Sequence, residues 1–223
     1  MVSEIKICGI STREALDAAI GAGATMVGFV FFDRSPRAVT LGHAAALAGR
    51  TCGKVGVVAL TVDSPDDVLA KIAEDLRPDF IQLHGAETPE RAEEVRRRFA
   101  VRVMKAIGVE GPEDLERARA YAGAVDALLL DAKPPKGADR PGGNAIAFDW
   151  RLIAGFEPGI PWMLSGGLSA ANVAEALAVS RARAVDVSSG VERAPGVKDP
   201  RLIREFVNAV HAGDPDRLTA KAA

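Results

Sequence analysis

Short apolar segments alternate with longer amphipathic segments along the whole chain. The apolar segments are rich in Val, Ile, Leu and Phe, which is typical of parallel strands buried on both faces, and the segments between them have helical spacing of apolar residues. Eight segments have strand character, at residues 5–8, 26–32, 55–62, 80–84, 102–107, 127–131, 161–165 and 184–188. The pattern predicts eight strand–helix units of about 28 residues, close to the ~30 residues of one βαβ repeat.

Polar residues and prolines between the apolar segments support the predicted helices. Ser11 precedes Glu14 by three residues, as the first residue of a capping box does. Thr88 stands directly before Pro89, a pair that suits the start of a helix. These signals predict one helix after the first strand and another after the fourth.

Eight such units favour an α/β fold closed into a single-domain (β/α)8 TIM barrel, with a doubly wound open sheet as the alternative. No GxGxxG motif follows the first strand, and small glycine clusters follow the last two strands, where barrels commonly bind phosphate. We expect the barrel to span residues 1–212 and a C-terminal tail to occupy 213–223. The segment 133–144, rich in Pro and Gly, is expected to be a loop over the site.

Composition narrows the possible functions. The 28 Lys and Arg residues nearly balance 30 Asp and Glu residues, so the chain has no basic field and nucleic acid is not an expected partner. No apolar run reaches the roughly 18 residues that span a bilayer, and the first residues lack the pattern of a signal peptide. We therefore expect a cytoplasmic protein without a membrane partner.

The two cysteines differ in position. Cys8 ends the first strand, at the predicted mouth of the barrel, where it is either a small buried hydrophobe or a thiol whose thiolate nearby N–H groups or a cation favour. Cys52 lies between a helix and the third strand and is expected to be a packing residue. Neither cysteine has metal-ligand spacing around it, so no disulfide framework or zinc site is expected.

Asp131 closes the apolar run ALLLD at the end of the sixth strand. It either caps the next loop or is an active-site residue kept there despite the cost of desolvation. In the second case it could donate a proton. Cys8 as a base and Asp131 as an acid, on opposite sides of the barrel mouth, would then form an acid/base pair.

Three further side chains could bind a substrate. Arg37 follows Pro36 in a loop after the second strand, and it is either a solvated surface charge or a rigidly placed partner for a carboxylate. Gln82 and His84 alternate with apolar residues, so both are predicted to point into the barrel mouth. For His84 we expect substrate binding rather than proton transfer.

Two glycine clusters, LSGG at 164–167 and SSG at 188–190, suit one phosphate dianion because glycine lets backbone N–H groups approach an anion. Either cluster alone is also common in ordinary turns.

Lys6 and Asp186 share the strand faces of Cys8 and Ser188, respectively. Since the first and last strands are neighbours in a closed barrel, we predict a buried Lys6–Asp186 ion pair under the site.

Seven sequence motifs occur in the order found in one known family: KICGIST at 6–12, GFVF and SPR within 28–37, QLHG at 82–85, LLLDA at 128–132, GGN and AFDW within 142–150, LSGGL at 164–168 and DVSSGVE at 186–192. They resemble phosphoribosylanthranilate isomerase of tryptophan biosynthesis. The resemblance implies a small single-domain barrel with no metal or cofactor. It also implies conversion of N-(5-phosphoribosyl)anthranilate to 1-(2-carboxyphenylamino)-1-deoxyribulose 5-phosphate.

The resemblance also implies roles for individual residues. Cys8 would be the general base, Asp131 the general acid, and Arg37 would bind the anthranilate carboxylate. Other expected substrate-binding residues are Gln82, His84 and Asp186, and the expected phosphate-binding residues are Gly143, Asn144, Gly166, Gly167, Ser188, Ser189 and Gly190. The chain has GGNA where family members often have a GGTG-like segment, so Ala145 departs from the pattern.

Two other functions would share parts of this sequence pattern. A histidine-pathway isomerase, or a bifunctional relative, would have an aspartate where this chain has Cys8. A non-catalytic barrel that senses a phosphorylated ligand would keep the glycine turns but would not need both Cys8 and Asp131. The resemblance to the isomerase family implies a phosphosugar substrate as the partner. It also implies a protein that is either a monomer or a homodimer.

Overall fold

The computed structural model describes residues 2–133 and 149–214. Eight parallel strands form a closed barrel in chain order, and β8 pairs with β1. The strands are β1 Glu4–Cys8, β2 Met26–Phe31, β3 Gly56–Thr61, β4 Phe80–Leu83, β5 Arg102–Val109, β6 Ala127–Ala132, β7 Trp162–Leu164 and β8 Ala184–Val187. The predicted TIM barrel is confirmed, and the pairing of β1 with β8 excludes the open sheet.

Helices cover the outside of this barrel. They are α1 Arg13–Ala22, α2 Leu41–Gly49, α3 Asp66–Lys71, α4 Pro89–Phe99, α5 Pro112–Arg119, α6 Val173–Ser180 and α7 Pro200–Gly213. Thr88 caps α4 through its side chain, as predicted, but Thr12 rather than Ser11 caps α1. Among the described residues, none of the helices has the length and hydropathy that a membrane crossing requires.

The chain after β8 forms a small hairpin that the hydrophobic pattern does not predict. Strands β9 Glu192–Ala194 and β10 Val197–Lys198 pair antiparallel. Gly196, at φ +80°, lies in the turn, and a Cβ there would stand 2.2 Å from the carbonyl oxygen of Pro36. Only glycine permits this approach, so the hairpin packs directly against the loop that carries Arg37.

The last helix ends close to the first residues of the chain. Helix α7 continues to Gly213, and the buried Asp214 accepts a hydrogen bond from the Val2 N–H. Residues 215–223 lie outside the described part.

The packing role expected for Cys52 is wrong. The turn after α2 leaves the Cys52 side chain exposed, and its backbone has φ 50°.

The predicted ion pair under the barrel mouth is confirmed. Lys6 Nζ lies 2.8 Å from Asp186 Oδ1, and both side chains are buried. The pair directly joins β1 to β8, where Lys6 and Asp186 are register partners. Because an unpaired buried charge is costly, each of these two residues requires the other.

A second buried ion pair, which the sequence did not indicate, secures the loop after β4. Lys105 Nζ lies 2.9 Å from Glu87 Oε2 and also donates to the carbonyl oxygen of Gly85. The Glu87 carboxylate accepts from the backbone N–H groups of Asp63 and Gly85. This loop directly follows the strand that carries Gln82, so the pair helps to position one side of the barrel mouth.

Replacing Lys105 by Met should lower the free energy of unfolding by about 3 kcal/mol, because it leaves the Glu87 carboxylate buried without its cation. Urea unfolding followed by tryptophan fluorescence measures this difference. The double variant Lys105→Met/Glu87→Gln should recover part of the loss. Lys54→Met changes an exposed lysine and should cost less than about 0.5 kcal/mol; equal unfolding free energies for Lys105→Met and Lys54→Met would contradict the assignment.

Candidate active site

A cavity opens at the carboxyl ends of the barrel strands. This is the face at which barrels of this kind carry their active sites. Ten residues with a predicted role line it: Cys8, Arg37, Gln82, His84, Asp131, Gly166, Gly167, Asp186, Ser188 and Ser189. Gly143 and Asn144 lie outside the described residues.

Cys8 is the last residue of β1, and its thiol faces the cavity while remaining almost fully buried. Gly28 on β2 provides the space for it, since a Cβ at position 28 would stand 3.1 Å from the sulfur. Burial raises the pKa of the Cys8 thiol, and the neighbouring ammonium of Lys6 opposes that rise. The thiolate is thus disfavoured by burial and supported by the ammonium groups of Lys6 and, more weakly, Lys198.

Lys6 is itself completely buried beside the thiol. Burial acts to lower its pKa, but the carboxylate of Asp186 and the sulfur of Cys8 outweigh burial, so the pKa of Lys6 is raised. Lys6 therefore stays charged. Asp186 has both oxygens engaged, Oδ1 by Lys6 and Oδ2 by the hydroxyl of Ser165 at 3.2 Å.

Asp131 stands near the end of β6 and is joined to β4 by a short row of side chains. Its Oδ1 accepts a hydrogen bond from the Ala132 N–H, and its Oδ2 lies 3.4 Å from Nε2 of His84. The side-chain nitrogen of Gln82 lies 3.0 Å from Nδ1 of His84. When the Gln82 amide donates to Nδ1, the neutral imidazole keeps its proton on Nε2, facing Asp131.

The same glutamine has an unused acceptor. Oε1 of Gln82 is buried and has no hydrogen-bond partner among the described residues. The residue lines the cavity, but this amide oxygen is itself shielded from solvent.

Arg37 lines the cavity from the loop after β2, with its side chain packed over Gly9. A Cβ at Gly9 would stand 2.6 Å from Cδ of Arg37. The guanidinium makes a bidentate pair with Glu192, Nε to Oε1 at 2.7 Å and Nη2 to Oε2 at 2.8 Å. The residue predicted to bind a substrate carboxylate thus holds a carboxylate of its own protein in this structure.

The same carboxylate has a second cation. Lys198 Nζ lies 2.8 Å from Oε1 of Glu192 and also donates to the carbonyl and hydroxyl oxygens of Ser188. Burial raises the pKa of the Glu192 carboxyl, but the Arg37 and Lys198 charges outweigh burial and hold that pKa below its usual value. Burial lowers the pKa of Lys198 to about 8, against the opposing effect of Glu192.

The glycine turns after β7 and β8 touch each other. Gly166 and Gly167 have positive φ values of 88° and 62°. Gly190 packs against the turn after β7, where a Cβ would stand 1.9 Å from the carbonyl oxygen of Leu168, so only glycine fits. The hydroxyl of Ser188 donates to the carbonyl oxygen of Cys8 at 3.1 Å, which connects the predicted phosphate turn to the end of β1.

Three residues near the site were not given a role from the sequence: Ser165, Glu192 and Lys198. Ser165 directly precedes Gly166 in LSGGL, and Glu192 follows Gly190 by two residues in DVSSGVE. Lys198 stands outside every motif, and the only sequence signal was a lysine placed directly before the Asp-Pro start of the last helix. No group of three potential metal ligands occurs in the described ranges.

Comparison with known proteins gives a consistent result. The model of a family described as N-(5'phosphoribosyl)anthranilate (PRA) isomerase matches residues 5–209. An N-(5'-phosphoribosyl)anthranilate isomerase of Rhodopseudomonas palustris (strain BisA53) is 55% identical over 212 residues, which are 95% of this chain and 97% of the relative.

Solved structures agree with the sequence relatives. One shows monomers generated from the dimeric phosphoribosylanthranilate isomerase of Thermotoga maritima, with a TM-score of 0.81 and 34% identity over 95% of this chain and 100% of that one. Another shows phosphoribosyl anthranilate isomerase in complex with reduced 1-(o-carboxyphenylamino)-1-deoxyribulose 5-phosphate, with a TM-score of 0.82 and 34% identity over the same shares, 95% and 100%. From the family match and the near-complete coverage of these relatives, the chain belongs to the N-(5'-phosphoribosyl)anthranilate isomerase family.

Proposed function

We propose that Cys8 and Asp131 are the base and the acid with which this isomerase converts N-(5-phosphoribosyl)anthranilate to 1-(2-carboxyphenylamino)-1-deoxyribulose 5-phosphate. This aldose–ketose isomerisation is the third step from chorismate in tryptophan biosynthesis. One observation carries the assignment of the two residues: Cys8 and Asp131 line the same cavity, from different strands of the barrel. A pentose between them could exchange a proton with each.

The reaction needs two proton transfers by the protein. The Asp131 carboxyl protonates the ribose ring oxygen, the bond between that oxygen and C1′ breaks, and the anthranilate nitrogen forms a Schiff base with C1′. The Cys8 thiolate then removes the proton from C2′, and the electron pair moves to form an enolamine. Tautomerisation of the enolamine gives the ketone, so no redox partner is required.

The buried position of Cys8 affects this chemistry in two ways. Because burial raises the pKa of the thiol, only a small fraction is ionised near neutral pH, although that thiolate is a stronger base. The Lys6 ammonium supports the ionised fraction. Lys6 and Asp186 therefore act on the reaction through the sulfur.

Binding at both ends places the ribose between the two groups. Arg37 binds the anthranilate carboxylate, and the backbone of the glycine turns binds the phosphate, with Gly166, Gly167, Ser188, Ser189 and Gly190 as the contributing residues and Gly143 and Asn144 completing the set. Such positioning contributes several kcal/mol to lowering the barrier. Gln82 on β4 and His84 directly after that strand contact the ribose hydroxyls.

Several observations favour this function over the alternatives. A histidine-pathway isomerase would have an aspartate at the position of Cys8, and a ligand sensor would not need a base and an acid in one cavity. The enzyme acts in the cytoplasm on a small phosphosugar, as a monomer or as a homodimer like its dimeric relative from Thermotoga maritima.

Cys8→Ala and Asp131→Asn should each lower kcat by ~10²-fold or more, because each removes one proton-transferring group. The loss of substrate fluorescence, with phosphoribosylanthranilate formed in situ, measures the rate. The exposed Cys52 gives a matched control: Cys52→Ala should retain the wild-type kcat. Wild-type turnover by either Cys8→Ala or Asp131→Asn would refute the role of that residue.

Iodoacetamide should inactivate the Cys52→Ala variant by alkylating Cys8. Because burial raises the pKa of this thiol above its ordinary value, the inactivation rate should still be increasing with pH at pH 9. The rate is measured as residual activity against time at each pH, and saturating product should slow it. In wild type, mass spectrometry should find that activity is lost with modification of Cys8; loss that follows modification of Cys52 would contradict the assignment.

A further inference from the structure

The charge of Arg37 is already balanced before any ligand arrives. Both oxygens of Glu192 accept from its guanidinium, and both side chains are at most 5% exposed. Nη1, at the other edge of the guanidinium, has no partner among the described residues. Nη1 can therefore donate hydrogen bonds to a second carboxylate. An isolated Arg37–Glu192 pair, however, is neutral and would attract an anion only weakly.

Lys198 changes this charge balance. Its ammonium is fully buried, lies 2.8 Å from Glu192 Oε1, and belongs to the hairpin that packs against the Arg37 loop. Arg37, Glu192 and Lys198 together carry one net positive charge. The same ammonium donates to Ser188 at 2.8 Å (carbonyl oxygen) and 3.2 Å (hydroxyl), so its charge also stands at the predicted phosphate turn.

We propose that Lys198 is a positioning residue that supplies the unbalanced positive charge for the substrate carboxylate at Arg37 and for the phosphate at the Ser188 turn. The inference rests on the proposed function, in which these two places bind the two ends of the substrate. Lys198 would not touch the reacting atoms, because its three hydrogen bonds all go to Glu192 and Ser188.

Surrounding charges determine when Lys198 is protonated. It faces Glu192 on β9, Arg37 on the loop after β2, and Cys8 on β1, which in turn contacts Lys6. Burial lowers the pKa of Lys198 to about 8, while Glu192 opposes this decrease. The positive charge is therefore present below about pH 8 and is lost as the pH rises through that value.

Lys198→Met should weaken competitive inhibition by anthranilate and by inorganic phosphate about tenfold each, because one buried charge is removed near both anions. The KM of the substrate should rise by a similar factor, with kcat within about threefold of wild type. Lys198→Arg keeps the charge and should recover most of the affinity. Lys54→Met, which removes an exposed lysine outside the cavity, should change none of these constants.

A charge-balanced double variant separates charge from structural support. Lys198→Met/Glu192→Gln leaves Arg37 as the only charge of the three and restores one net positive charge. We expect its anthranilate inhibition constant to lie within about threefold of wild type, although more hydrogen bonds have been lost. If Lys198 only held the hairpin in place, the double variant would bind anthranilate more weakly than Lys198→Met, and that result would overturn the proposal.

The pH dependence of anthranilate binding provides a second readout. In titration calorimetry of the Cys8→Ala variant, where no Cys8 thiol ionises, the Kd for anthranilate should rise above about pH 8. Adding Lys198→Arg should remove that rise, since the guanidinium stays charged. Equal pH profiles for the two proteins would contradict the role of Lys198.

Arg37→Ala distinguishes failure of this inference from failure of the binding assignment. If Arg37→Ala leaves anthranilate inhibition unchanged, Arg37 does not bind the carboxylate, and both proposals are overturned. If Arg37→Ala weakens inhibition but Lys198→Met does not, the proposed function stands and only the inference about Lys198 fails. Circular dichroism of each variant verifies that the barrel is folded.

Discussion

A buried ammonium must have a carboxylate close to it, and this requirement organises the barrel mouth. The Lys6–Asp186 pair satisfies it at the junction of β1 and β8, directly below the Cys8 thiol. It closes the barrel at the point where the two most distant strands in the chain meet. Because removal of either partner would leave a charge in an apolar surrounding, barrel closure and the electrostatic environment of the sulfur depend on one contact.

The same principle is repeated at two other places around the mouth. Lys105 with Glu87 secures the loop after β4, and Lys198 with Glu192 secures the hairpin after β8. In each case a buried lysine donates both to a carboxylate and to the backbone carbonyl oxygen of a neighbouring turn, Gly85 for Lys105 and Ser188 for Lys198. The site is therefore built on charged pairs under and beside it, while the apolar core below supports the strands.

The parts of the fold that follow from the periodic spacing of apolar residues could be predicted from the sequence. All eight barrel strands follow from apolar runs, and the Lys6–Asp186 pair follows from strand parity and closure. The hairpin could not be predicted in this way, because strands of two and three residues are too short to show an alternating pattern of apolar residues. Its position also depends on the contact of Gly196 with Pro36, which is distant in the sequence. For the same reason the partner of Arg37 was not foreseen, since Glu192 is 155 residues away. Exposure of Cys52 depends on the exact turn after α2, which composition does not specify.

Because Ser188 donates a hydrogen bond to the Cys8 carbonyl oxygen, the first strand depends on a contact with one of the last segments to be synthesised. The ribosome synthesises the strand that carries Cys8 at the beginning of translation, but Ser188, whose hydroxyl holds the Cys8 carbonyl, lies 180 residues further along the chain. A nascent chain that has folded its first seven units still lacks Asp186 beneath the thiol and Ser188 beside it. The surroundings of the Cys8 sulfur are therefore complete only once the eighth strand has docked.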